Sequence, residues 1–175
     1  MPLPGRMRAN KEWNPEDTAM KRIALALLFC LLLPCAARAA GDAPLPSLDQ
    51  AGLAALLQKN KGKVVMLNFF ATWCPPCRVE IPELVKVRDA YPAAQLLVVG
   101  LAVDDDSAPV APFIKKAGVD YPVYLAGRDV TDAYGVTSVP HNAFFARDGR
   151  LVISEPGMAD ANIIRQVVDD LLGRK

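Results

Sequence analysis

A chain of 175 residues, 52% hydrophobic and 22% charged, is long enough for one ordinary domain with its own core and gives no reason for a second. A formal charge of +1, with acidic and basic residues interspersed, leaves no basic face for nucleic acid. There are four cysteines and one histidine, His141.

Residues 1–19 are polar and contain prolines, an odd start that makes Met20 the expected first residue. Lys21-Arg22 then precedes eleven apolar residues, Ile23 to Leu33, followed by Pro34 and by Ala37-Arg38-Ala39. This is the three-part layout of a secretory signal peptide, with cleavage expected after Ala39. The uncharged stretch from Ile23 to Ala37 is fifteen residues, short of the about 20 a spanning helix requires, so cleavage is favoured over a retained membrane anchor. Pro34 ahead of Cys35 speaks against lipid attachment. The expected organisation is an extension with signal peptide over 1–39, a linker over 40–46 and a folded domain over 47–175. Removing 1–39 leaves fourteen Lys and Arg against sixteen Asp and Glu, a net charge of −2, and only two cysteines, Cys74 and Cys77. An exported chain with one close pair and no other cysteine uses it for chemistry rather than for stapling.

In the domain, Ser47 is placed to cap an amphipathic helix ending near Lys59, and Asn60-Lys61-Gly62-Lys63 turns into Val64 to Phe70, a nearly continuous apolar run read as a strand buried on both faces. Cys77 to Asp89 carries Val79, Ile81, Leu84, Val85 and Val87 at helical spacing, and Gln95 to Val103 is a second buried strand. Strand, helix and strand in this length imply a parallel βαβ unit. Asp104-Asp105-Asp106 is expected to cap a helix over Ala108 to Ala117. An extended segment at Tyr121 to Leu125 and a short helix at Val130 to Tyr134 come next. Ala143 to Arg147 and Arg150 to Ser154 flank Asp148-Gly149, a hairpin turn signal, and a helix from Asp160 to Leu172 closes the chain.

Trp73-Cys74-Pro75-Pro76-Cys77 therefore falls where a buried strand meets a helix. At a helix entrance, unpaired N–H groups and the positive end of the macrodipole favour a thiolate, so Cys74 is the expected nucleophile. Pro75 and Pro76 suit a first turn. With two residues between them, Cys77 can reach a mixed disulfide formed at Cys74 and resolve it. Zinc needs four ligands, and the mature chain offers these two cysteines and His141.

The element order, with Leu67 to Arg78, Glu80, Pro82, Tyr134-Gly135-Val136, Val139-Pro140 and Asp148-Gly149-Arg150, resembles the thioredoxin-like fold and, more narrowly, the TlpA/ResA-like thiol–disulfide oxidoreductases. The resemblance covers roughly residues 47–172. It implies an α/β fold, a central mixed sheet flanked by helices, with an added helix and extended segment between the βαβ unit and the terminal hairpin. It also implies a cis Pro140 beside the sulfurs, a Val139 backbone that pairs with substrate, and Trp73, Val139, Pro140 and His141 as substrate contacts. Asn68 replaces the buried aspartate of thioredoxin, and a neutral amide cannot accept a proton from Cys77. Glu80, one helical turn beyond Cys77, is then the candidate acceptor. His141 stands where the family usually carries threonine; it could stabilise a thiolate, shuttle a proton or sit exposed at the groove rim. No bound cofactor is expected, and a monomer is. The implied setting is the periplasm, the implied partners are protein disulfides, such as those of apocytochrome c or a copper-site cysteine pair, and a membrane electron donor of the DsbD or CcdA kind. The competing reading is a Cu(I) metallochaperone using Cys74, Cys77 and His141.

Overall fold

The computed structural model describes residues 45–174, so the expected extension, signal peptide and most of the linker lie outside the described residues. In chain order the elements are β1 (Ser47–Leu48), α1 (Gln50–Lys59), β2 (Val64–Phe70), α2 (Pro75–Asp89), β3 (Leu96–Ala102), α3 (Val110–Lys116), β4 (Val123–Ala126), α4 (Arg128–Ala133), β5 (His141–Phe145), β6 (Leu151–Pro156) and α5 (Ala161–Leu172). They build one mixed sheet in the order β1-β4-β3-β2-β5-β6. β2 and β3 run parallel, as the βαβ unit requires, and β5 returns antiparallel to both β2 and β6. This is the α/β architecture expected, with the α3–β4–α4 segment inserted between the βαβ unit and the hairpin.

The unbroken hydrophobicity of β2 results from its central place, because successive side chains enter two different cores. Val64, Met66 and Phe70 pack with Ile81, Leu84 and Val87 of α2, Val110 of α3 and Ile164 and Val168 of α5. Val65, Leu67 and Phe69 face the other way, against Leu53 of α1 and Val130 of α4. Gly100 of β3 is required by crowding, since a Cβ there would meet Val123 Cγ2 at 3.1 Å and Phe70 Cε1 at 3.2 Å. Gly149 in the β5–β6 turn has φ 88°, a conformation side chains other than glycine rarely take.

Two local expectations are corrected. Ser47 does not cap α1; it lies in β1, and Asp49 caps instead by accepting from the Gly52 N–H at 2.7 Å. A cap is worth about 1 kcal/mol, whereas burying a leucine gives about 1.5–3 kcal/mol, so Leu48, at 8% exposure, draws its neighbours into an edge strand and shifts the cap by two residues. The Asp104–Asp106 run does not cap α3 either, which begins at Val110 behind Pro109 with no side-chain cap. Asp106 accepts from the Ala108 N–H in a tight turn, and Asp104 turns back to the active-site loop.

Candidate active site

Cys74 and Cys77 are joined as a disulfide at the start of α2. Cys74 is the N-cap, and its sulfur accepts from the Cys77 N–H at 3.2 Å; Pro75 and Pro76 take the first helical positions, where no N–H is needed. The first turn of α2 carries no acidic residue to cancel the positive end of the helix dipole. Cys77 is wholly buried and Cys74 shows 2% of its surface, so an incoming disulfide meets Cys74 first.

The loop before the cysteines is pinned from two sides. Asp104, at the end of β3, accepts from the Thr72 N–H at 3.1 Å and from its hydroxyl, while the Arg78 guanidinium donates twice to the Thr72 carbonyl, at 2.7 and 3.1 Å. Trp73, next in sequence, is 66% exposed. Across from it, the Val139–Pro140 peptide is cis and the Val139 carbonyl oxygen lies 3.5 Å from Cys74 Sγ. A groove of about 530 Å³ opens between these segments, lined among others by Trp73, Asp104, Arg128, Ser138 and Val139.

Glu80 is 1% exposed although nothing cationic pairs with it among the described residues. Its Oε1 accepts from Asn142 Nδ2 at 2.7 Å and from the Ala159 N–H at 2.8 Å, and its Oε2 accepts from Asn68 Nδ2 at 2.9 Å. Burial pushes the carboxyl above its ordinary 4.5, and the three hydrogen bonds pull it back. Sequence reasoning singles out neither Asn142 nor Ala159. Asn142 carries a signal, since it and Asn68 are the amides set inside strands that are apolar apart from them and His141; a backbone N–H such as that of Ala159 carries none.

His141 requires the main correction. β5 alternates, so Asn142 and Phe144 face the side of the sheet that carries the cysteines, and His141, Ala143 and Phe145 face the opposite side. The His141 ring stands edge-on to Phe69, bonds Ser154 Oγ through Nε2 at 2.8 Å and is 3% exposed. It is not an exposed rim residue, and its ring lies on the face of the sheet opposite the one that carries Cys74 and Cys77. Among the described residues no group of three His, Cys, Asp or Glu could hold a metal.

Burial lowers the His141 pKa below 6.5, with Glu155 acting weakly the other way. Below 6.5 the unfolded chain takes up a proton that the folded chain refuses, so the contribution of His141 to stability is full above 6.5 and is lost as pH falls towards the depressed folded value. Denaturant titrations from pH 7.5 to 5 should show that decline in the wild type and a flatter profile in His141→Gln, with thiol exchange unchanged.

The Redoxin family matches residues 36–171. The thiol-disulfide oxidoreductase ResA of Bacillus thuringiensis (strain Al Hakam) is 32% identical over 97 residues, covering 55% of this chain and 56% of its own length. The aligned stretch thus spans little more than half of that relative. Among solved structures, a thiol:disulfide interchange protein of the thioredoxin family from Chlorobium tepidum TLS superposes with TM-score 0.62 at 31% identity, over 66% of this chain and 84% of its own. A secreted Mycobacterium tuberculosis disulfide oxidoreductase, homologous to E. coli DsbE, gives TM-score 0.56 at 26% identity, over 65% and 85%. With a matching family over most of its length, a thioredoxin-like sheet and a cysteine pair at the helix entrance, the chain belongs to the Redoxin family.

Proposed function

We propose that this protein is an exported thiol–disulfide oxidoreductase whose reduced Cys74/Cys77 pair delivers two electrons to disulfides in other proteins. The observation that carries the reading is the placement of Cys74 Sγ at the N-cap of α2, between the exposed Trp73 and the Val139 carbonyl, with Cys77 wholly buried behind it. Export is supported by the composition of residues 20–39.

In the reduced protein the helix terminus favours the Cys74 thiolate. Its sulfur attacks one sulfur of the substrate disulfide, the substrate S–S bond breaks, and the departing thiolate takes a proton from water. Cys77 then loses its proton to Glu80, and its sulfur attacks Cys74 Sγ. The mixed disulfide breaks, the second substrate sulfur leaves as a thiolate that takes a proton from water, Glu80 gives its proton back to water, and Cys74–Cys77 closes; the substrate is reduced by two electrons and the protein is oxidised by two. Trp73 and the Val139–Pro140 backbone flank the incoming chain. A reductant in an oxidising compartment must be recharged, and a membrane donor of the DsbD or CcdA kind is the class that fits. Disulfides of apocytochrome c or of a copper-site cysteine pair are the proposed substrates.

The test is stoichiometric. Reduced protein mixed with an oxidised peptide bearing a CxxCH pair should yield one peptide dithiol per Cys74–Cys77 disulfide, counted by alkylation and mass spectrometry. A peptide left oxidised, beside protein that still carries two free thiols, would overturn the assignment.

A further inference from the structure

The amide pair under the active-site helix has a role that the exchange steps alone do not use. Asn68 and Asn142 are direct cross-strand partners in the β2–β5 register, and their side chains share the face that carries Cys77. Both are buried, at 0% and 3% exposure, inside strands that are otherwise almost entirely apolar. Two amides are costly to bury and stay only where their hydrogen bonds are made.

The orientation of those bonds is one-sided. Asn68 Nδ2 donates to Glu80 Oε2 at 2.9 Å and to Asn142 Oδ1 at 2.8 Å. Asn142 Nδ2 donates to Glu80 Oε1 at 2.7 Å and reaches the Gly157 carbonyl at 3.5 Å. With the Ala159 N–H also on Oε1, every polar neighbour presents a hydrogen to Glu80. Asn68 Oδ1, by contrast, is buried with no partner among the described residues. Rotating that amide would set its oxygen against Glu80 Oε2 and Asn142 Oδ1, acceptor against acceptor. The fold therefore leaves one carbonyl unpaired so that an N–H2 faces the carboxylate.

We propose that Asn68 and Asn142 are positioning residues that hold Glu80 as a hydrogen-bond acceptor and thereby set its proton affinity. The inference rests on Glu80 serving Cys77 only for its consequence in turnover; the hold on Glu80 itself stands on the geometry. A protonated Glu80 has one O–H to place and meets only donors, so a proton it takes from Cys77 is readily passed on. The other ionisable groups bearing on it are Cys77, one turn earlier on α2, and Tyr121, ahead of β4, whose hydroxyl is pushed up first by burial and then by the Glu80 charge.

The test tracks the Glu80 carboxyl directly, by its ¹³C shift across pH in oxidised protein. Alongside it, the pH dependence of Cys77 alkylation is measured in reduced protein. Asn142→Ala removes one charge-assisted donor and should raise the Glu80 midpoint by about one unit, a tenfold gain in proton affinity. Asn68→Asp keeps the shape, so it guards against loss of fold, and sets two carboxylates on one site; Glu80 should rise further and titrate in two steps. Unchanged Glu80 midpoints in both folded variants would overturn the proposal. Shifted midpoints with an unmoved Cys77 profile would support the amide role and overturn instead the assignment of Glu80 to Cys77.

Discussion

Cys74→Ser should abolish thiol exchange, whereas Cys77→Ser should still capture substrate and then fail to release it. The asymmetry comes from access and position. Cys74 is the N-cap residue, its sulfur accepting an N–H of the first turn and lying 3.5 Å from the Val139 carbonyl at the groove, while Cys77 has no exposed surface. A serine hydroxyl at 74 has no accessible anion near neutral pH, so turnover should fall to background. At 77 the first exchange survives and the mixed disulfide has no internal thiol to break it, so it should persist through non-reducing electrophoresis and identify its partner by mass spectrometry. Trapping by Cys74→Ser and not by Cys77→Ser would reverse the roles.

Glu80→Gln should shift the release step more than the initial attack. In the proposed mechanism Glu80 makes two opposed contributions to Cys77: its negative charge disfavours the thiolate, and its carboxylate accepts the proton. Removing both should make the Cys77 thiol more acidic yet slow its deprotonation, a loss of roughly 100-fold in release where the thiol is mostly protonated. At pH well above about 8.5, the ordinary thiol value, hydroxide replaces the carboxylate and the two profiles should converge. The variant should also lose about 1–3 kcal/mol of stability, because the Gln amide turns an N–H2 toward the donors of Asn68, Asn142 or Ala159. Stopped-flow reduction across pH, with denaturant titration beside it, separates the two effects. Superimposable rate profiles would reduce Glu80 to a structural residue.

The strand–helix–strand core, the hairpin and the closing helix are legible in the sequence because apolar periodicity and turn residues report local geometry directly. WCPPC is legible because its chemistry depends on spacing along the chain. The features that escape depend on contacts between distant segments. Asn68 is recognisable as unable to act as a base, but its use as a donor needs Asn142, 74 residues away, and Glu80. Asp104 has the look of a cap for the next helix, and instead holds Thr72, 32 residues before it. Ser47 misleads because a two-residue edge strand leaves almost no periodic trace. His141 misleads most, since its adjacency to Pro140 in sequence implies adjacency to the sulfurs, while the pleat turns its ring to the far core.

That pleat also divides two adjacent residues between two layers. Immediately after the Val139–Pro140 peptide, residue 141 belongs to a layer packed around Phe69 and Ser154, and residue 142 to one that hydrogen-bonds the buried Glu80 carboxylate. Neighbours in sequence thus serve different layers of the fold. A substitution at 141 therefore changes packing in the far core, whereas a one-residue slip in this strand would exchange the contents of the two layers at once, setting an amide against Phe69 and an imidazole beneath the cysteines.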